Sequence, residues 1–308
     1  MNDSLPKPFT AAVIQAAPVF FDKRATLDKM VGLIREAAAK EKASLILFPE
    51  VFIPGYPRGF LFGARVGGRT EAGRELFLRY WENSITVPGP ETEMIGKAAK
   101  EAGAWVVAGV TEKDRISDTL YCTMVYWNPE GQLVGKHRKL KPTASERIIW
   151  GEGDGTDLGV FDIELGRIGG LICWENYMPL ARTALYQQGI ELYLAPTADC
   201  RDTWQSTLQH IACEGRCFVF GCNQYLMPEH YPAELRELLP ADHVPSTGGS
   251  AIISPMGKPL AGPLFHAEGI LTATIDHREI IKAKMDFDPV GHYARNDVFR
   301  FEWEKNSD

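Results

Sequence analysis

The chain has 308 residues, 45% hydrophobic and 24% charged, the proportions of a water-soluble protein long enough to bury a sizeable core. A formal charge of −7 opposes nucleic-acid and anionic-membrane partners, and no run approaches the roughly 18 apolar residues of a membrane span. The opening stretch Met1-Asn2-Asp3-Ser4-Leu5-Pro6-Lys7-Pro8 lacks the apolar centre of a signal peptide. A cytoplasmic protein follows, in which the cysteines at 122, 173, 200, 213, 217 and 222 stay as thiols.

In chain order, the apolar run Phe9–Ala16 predicts a strand, and Leu27, Met30, Val31, Leu33, Ile34 and Ala37 recur at helical spacing over Ala25–Lys40. Ser44–Phe48 is a second strand, stopped by Pro49. Helices follow at Gly73–Asn83 and Glu91–Ala102, the latter closed by Gly103 in a left-handed cap. Strands are expected at Trp105–Val110, Leu120–Trp127 and Leu133–His137, the last two joined by the Asn128-Pro129-Glu130-Gly131 turn.

The second half repeats the style. Strands Gly159–Ile163 and Ile168–Cys173 precede a helix at Pro179–Gln188, with proline in its first turn. Strand Glu191–Ala195, helix Thr203–Gly215, strands Cys217–Asn223, Ser250–Ser254 and Ile270–Ile275, and helix His277–Ala283 complete it. The strands lack polar alternation, so both faces of at least one sheet are covered by other layers. No repeat or linker divides the chain, which predicts a single domain over 1–308. The segments Phe52–Gly68 and Pro228–Thr247 read as surface loops.

Three places carry chemistry that a bland domain does not need. In Arg167-Ile168-Gly169-Gly170-Leu171-Ile172-Cys173-Trp174-Glu175-Asn176, an apolar strand delivers Cys173 to its end, and two glycines upstream admit a close neighbour. A lone strand cysteine is more often a buried core thiol. In Leu45-Ile46-Leu47-Phe48-Pro49-Glu50, a carboxylate leaves the end of another buried strand; the bland reading is a solvated loop acid. In Lys136-His137-Arg138-Lys139-Leu140-Lys141, five basic or imidazole groups form a local positive island, with 137, 139 and 141 on one face; the bland reading is a lysine-blunted edge strand. Together they supply a thiol, a carboxylate that can take its proton, and an ammonium that can stabilise charge developing on a substrate heteroatom.

Other candidates are weaker. His210, Cys213, Cys217 and Cys222 have the wrong spacing for a zinc site, and packing is the better reading. Cys122 and Cys200 read as buried or incidental. Tyr56, Trp150 and Trp174 are candidate pocket walls, with core packing an equal alternative.

Phe48-Pro49-Glu50, His137-Arg138-Lys139-Leu140-Lys141-Pro142-Thr143 and Cys173-Trp174-Glu175-Asn176 resemble, in order and separation, the Glu, Lys and Cys motifs of the carbon–nitrogen hydrolase (nitrilase) superfamily. Trp174 after the cysteine and Trp150-Gly151-Glu152-Gly153-Asp154-Gly155 resemble its nitrilase branch, and Glu146 matches a second family glutamate that positions Lys139 and substrate. The resemblance runs from about Phe9 to about Phe301 and includes Gly248-Gly249-Ser250 and Pro255-Met256-Gly257.

The resemblance implies an α/β fold in four layers, an α-β-β-α sandwich that pairs with a second copy through the helices near Arg182–Gln188 and Thr203–Cys217. It also implies hydrolysis of a nitrile to acid and ammonia through thioimidate and thioester intermediates on Cys173. Glu50 is the implied base, Lys139 and the Trp174 backbone N–H stabilise the tetrahedral species, and no cofactor or metal takes part. An amidase with the same three groups is the near alternative, and a non-catalytic scaffold the distant one. The sequence departs from the resemblance in a short tail over 292–308, which disfavours spiral assembly, and in Asn296 where proline is expected.

Overall fold

A computed structural model describes residues 5–303. The chain runs β1 (Phe9–Gln15), α1 (Lys23–Glu41), β2 (Ala43–Leu47), α2 (Glu71–Glu82), β3 (Ile85–Thr86), α3 (Pro90–Ala102), β4 (Trp105–Lys113), β5 (Leu120–Trp127) and β6 (Leu133–Arg138). It continues β7 (Phe161–Ile163), β8 (Gly166–Gly170), α4 (Pro179–Gln187), β9 (Leu192–Thr197), α5 (Asp202–Gly215) and β10 (Phe218–Asn223). β11 (Tyr225–Leu226), α6 (Ala233–Arg236), β12 (Ser246–Ile253), β13 (Pro259–Phe265), β14 (Gly269–Ile275) and α7 (Arg278–Asp286) complete it.

Two seven-stranded sheets result. One is ordered β14-β1-β2-β4-β5-β6, with β3 on β4; the other is ordered β11-β12-β10-β9-β8-β7, with β13 on β12. Both are mixed: β1, β2 and β4 run parallel, as do β8, β9 and β10, while the hairpins are antiparallel.

Period-two alternation shows how the layers stack. Ala11 and Val13 of β1, Leu192 and Leu194 of β9, and Phe218 and Phe220 of β10 share one core between the sheets. Their neighbours face outward: Ala12 and Ile14 meet Leu27, Met30 and Ile34 of α1, whereas Tyr193, Ala195 and Val219 meet Leu185 of α4 and Leu208 and Ile211 of α5. The order is helix, sheet, sheet, helix, and the missing polar alternation has its reason: both faces of the central strands are buried.

Local signals set the helix ends. The Asp22 side chain accepts from the Ala25 N–H at 2.9 Å to cap α1. Gly103, at φ +59°, closes α3 as the sequence predicts.

Three expectations need correction. The sequence reading places no strand between Ser254 and Ile270, yet β13 forms there despite Pro259, Gly262 and Pro263, as an edge paired with β12. The strand carrying the Cys173 motif ends at Gly170, so Cys173 itself opens a short 3₁₀ turn, Cys173–Tyr177. The two segments expected as surface loops bury much of their apolar content: Phe52, Ile53, Phe60 and Phe62 in the first, Tyr231 and Leu235 in the second. The Phe20 ring lies 4.5 Å from that of Tyr231 and 5.9 Å from that of Phe60, so these segments close one end of the inter-sheet core. Of the expected tail over 292–308, residues 304–308 lie outside the described part.

Candidate active site

Glu50 follows β2 on a bulge. The Phe48 N–H donates to Val107 O and the Phe52 N–H to Gly109 O, so the segment keeps its pairing with β4 while Glu50 and Val51 arch out between. Gly109 is what permits the arch: a Cβ there would sit 2.5 Å from Pro49 O and 2.6 Å from Glu50 Cα. Gln224 pins the arch from the other sheet, its Nε2 donating to Glu50 O at 2.6 Å and Val51 O at 3.0 Å. Glu50 is fully buried and not the solvated loop acid of the bland reading.

Lys139 lies just past β6 and is 1% exposed. Its Nζ donates to Glu50 Oε1 at 2.7 Å and to Glu146 Oε2 at 2.8 Å. Glu146, on the 3₁₀ turn Ala144–Ile148, also accepts from Tyr56 OH at 2.7 Å and from the Thr143 N–H at 2.7 Å. The cations around Lys139 are not a free positive island. Lys136 and Arg138 pair with Glu112, His137 lies between Asp157 and Glu175, and Lys141 meets Glu152. His137 and Lys139 point inward, but Lys141 is exposed, because the strand ends at Arg138 and alternation lapses.

Cys173 is buried, at φ +52°, a left-handed conformation that costs a non-glycine residue on the order of 1 kcal/mol or more. Val51 (φ +47°) and Ala144 (φ +47°) share it, so backbone strain gathers beside Glu50, Glu146 and Cys173. The elbow is held by Asn176, whose Nδ2 donates to Leu171 O at 2.9 Å and Cys173 O at 2.8 Å. Gly170 supplies the close approach expected of it: a Cβ there would meet Leu194 O at 2.1 Å. Thr197, ending β9, donates from Oγ1 to Cys173 Sγ at 3.1 Å.

Burial and then the Glu50 carboxylate push the Cys173 thiol pKa upward, against the pull of Lys139 and Thr197. Burial also raises the Glu50 carboxyl, with Lys139 opposing. Burial alone would lower Lys139, but Glu50, Cys173 and Glu146 outweigh it and hold the group as an ammonium. Burial thus opposes a negative charge on either Glu50 or Cys173. Lys139 opposes burial at both and favours the anion of either group.

The open side of Cys173 is a cavity of about 280 Å³ lined by Tyr56, Arg58, Glu146, Trp174, Asp199 and Arg201, among others. Tyr56, Arg58 and Glu146 also line an adjoining cavity of about 470 Å³, with Phe60, Ile149 and Trp150. Tyr56 and Trp150 lie 5.7 Å apart between ring centroids. Trp174 is fixed by its Nε1 donating to Asp199 Oδ2 at 2.8 Å, while the Arg201 guanidinium lies 4.8 Å over its ring.

The fold thus brings Glu50, Lys139, Glu146 and Cys173 to one place and sets Tyr56, Trp150 and Trp174 around it. Sequence reasoning missed Cys122, whose Sγ donates to Glu50 Oε1 at 3.5 Å, and Thr197, Asp199, Gln224 and Glu175. Glu175 had a readable signal, an acid beside a buried cysteine and facing a run of cations. Among the described residues no cluster of His, Cys, Asp and Glu is arranged to hold a metal ion.

Comparison with known proteins shows the family. The carbon–nitrogen hydrolase family profile matches residues 10–285. The chain is 51% identical to an aliphatic nitrilase of Sinorhizobium fredii, covering 95% of this chain and 94% of that protein. It is 49% identical to the bifunctional nitrilase/nitrile hydratase NIT4B of Nicotiana tabacum, covering 97% and 87%. In fold it resembles Saccharomyces cerevisiae Nit3, a member of branch 10 of the nitrilase superfamily, with a TM-score of 0.76 at 20% identity over 95% of this chain and 97% of the other. A Helicobacter pylori carbon–nitrogen hydrolase aligns with a TM-score of 0.73 at 18% identity over 95% and 97%. The chain belongs to the carbon–nitrogen hydrolase family, in its nitrilase branch.

Proposed function

We propose that this protein hydrolyses organic nitriles to carboxylic acids and ammonia with Cys173 as nucleophile. The observation that carries the reading is the buried ammonium of Lys139, 2.7 Å from Glu50 and 2.8 Å from Glu146, beside a cysteine on a strained elbow. The curated relatives at about half identity support nitriles as the substrate class.

The chemistry divides into four steps. The Cys173 proton passes to Glu50 as sulfur bonds to the nitrile carbon, and the nitrile nitrogen takes that proton to give a thioimidate. Glu50 then draws a proton from water as its oxygen adds to the same carbon. Glu50 returns that proton to the nitrogen and the new hydroxyl gives up its own, so the tetrahedral species collapses with loss of ammonia and leaves a thioester. A second water, deprotonated by Glu50, displaces the Cys173 sulfur and releases the acid. Lys139 and the Trp174 N–H face the charge that develops in each addition. Glu146 holds Lys139 and Tyr56, and the aromatic walls of Tyr56, Trp150 and Trp174 hold the organic group of the substrate.

We infer further that two copies pair through α4 and α5, where Leu180 is 71% exposed beside exposed Tyr177 and Met178. Six free thiols suit a reducing, cytoplasmic setting, and no described helix is long and apolar enough to cross a membrane.

Incubation with nitriles and their matching amides, with ammonia assayed and products identified by mass spectrometry, tests the reading. Acid and ammonia from nitriles support it. Turnover of amides alone would move the protein to amide hydrolysis.

A further inference from the structure

His137 takes no part in the steps above, yet it occupies the point where two halves of the site meet. Its side chain is nearly closed to solvent. Nδ1 lies 3.1 Å from Asp157 Oδ1, and Nε2 lies 3.2 Å and 3.1 Å from the two oxygens of Glu175. A ring with carboxylates at both nitrogens donates from both, so it is an imidazolium. Burial alone would lower its pKa; Glu175 and Asp157 outweigh burial and raise it to about 10. The adjacent cations do not compete for these acids, since Lys136 pairs with Glu112 and Arg138 with Glu112 and Asp114.

The two carboxylates reach the backbone on either side of Lys139 and just before Cys173. Asp157 Oδ2 accepts from the Arg138 N–H at 2.9 Å, and Glu175 Oε1 from the Leu140 N–H at 2.6 Å. Glu175 Oε2 accepts from the Ile172 N–H at 2.7 Å. We propose that His137 is a positioning residue: it straps Asp157 to Glu175 and so fixes the Lys139 segment relative to the Cys173 elbow. This rests on Cys173 being the nucleophile. Without the imidazolium, Glu175 is a buried charge with no cation, and relief requires it to take a proton or the elbow to open. Either change moves the ammonium and the thiol out of register, and a displacement of about 1 Å costs about 100-fold in rate.

The test compares the natural protein with His137→Gln and Asp157→Asn. It measures the pH profile of Cys173 alkylation by iodoacetamide, which needs no substrate, together with steady-state nitrile hydrolysis. His137→Gln that is folded by circular dichroism is expected to alkylate about tenfold more slowly and to lose about 100-fold in kcat, with KM within about threefold. Asp157→Asn removes one of the two acids that raise the His137 pKa, so the alkaline limb of both profiles moves to lower pH. A folded His137→Gln that alkylates and turns over at the natural rate overturns the proposal. If His137→Gln does not fold, Asp157→Asn decides: a shifted alkaline limb supports the strap and an unmoved one overturns it. Cys173 alkylation that depends on His137 in a protein turning over no nitrile would leave the strap standing and remove the nitrile reading instead.

Discussion

Lys139 Nζ and Glu50 Oε1 lie 2.7 Å apart with both side chains shut off from solvent. An ion pair so placed contributes little net stability, because desolvation consumes most of the Coulombic gain, but removing one partner strands the other. Glu50 is doubly exposed to that risk, since its Oε2 has no hydrogen-bond partner among the described residues. In the proposed mechanism, that unpartnered oxygen is the one that exchanges a proton with Cys173 or a bound water.

Replacing either partner therefore abolishes turnover but affects stability differently. Lys139→Met leaves Glu50 and Glu146 as buried acids without a cation, at a cost of about 3–5 kcal/mol. Glu50→Gln still offers an oxygen to Lys139 and loses less. Thermal melts and nitrile assays check this: equal inactivation with a clearly larger fall in Tm for Lys139→Met is expected, and a turnover-competent Glu50→Gln contradicts it.

Tyr56→Phe removes the hydroxyl that donates to Glu146 Oε1 at 2.7 Å. A hydrogen bond to a charged group contributes about 1.5–3 kcal/mol to stability, so Tm is expected to fall by several degrees. In the fraction that stays folded, kcat is expected to fall at least tenfold, because Glu146 loses a partner beside Lys139. Steady-state kinetics beside a melting curve separate this from a loss of folding.

Gly109→Ala drives a methyl group to 2.5 Å from Pro49 O and Val51 N. The bulge carrying Glu50 must shift, so both stability and turnover are expected to drop. An alanine variant with natural kcat would show that the arch is not needed in its observed place.

Stability should also depend on pH through His137. Its folded pKa is raised to about 10 from an unfolded value near 6.5. The charged form is favoured by folding, so the stabilisation is complete below about pH 6.5 and is lost as pH rises toward 10. Asp157→Asn removes part of it. The Tm difference between natural protein and variant is expected to be largest near neutrality and to close toward pH 10; a constant difference contradicts this.

The site's main groups were legible because each sits at a strand end with local punctuation: Pro49 before Glu50, and two glycines before Cys173. Their partners were not, because they come from distant segments. Thr197 and Gln224 reach the site only after β9 and β10 are seated, and nothing local distinguishes them from other polar residues. The basic run reads in sequence as a local positive island, with a lysine-blunted edge strand as the alternative, because sequence does not show that Glu112, Asp157 and Glu175 are waiting for it. The segments around Phe60 and Tyr231 were read as loops from their prolines and glycines. Their aromatic residues were the better guide, since such side chains fill an open core end. β13 was hidden for the opposite reason, an edge strand whose prolines need no ladder bonds on their outer side.

The most direct test of Cys173 as nucleophile is peptide mass spectrometry on protein quenched during nitrile turnover. A thioimidate or thioester adduct on the peptide containing Cys173, absent from a folded and inactive Cys173→Ala variant, is the predicted result. Continued turnover by Cys173→Ala, or an adduct on another residue such as Cys200, would contradict the account.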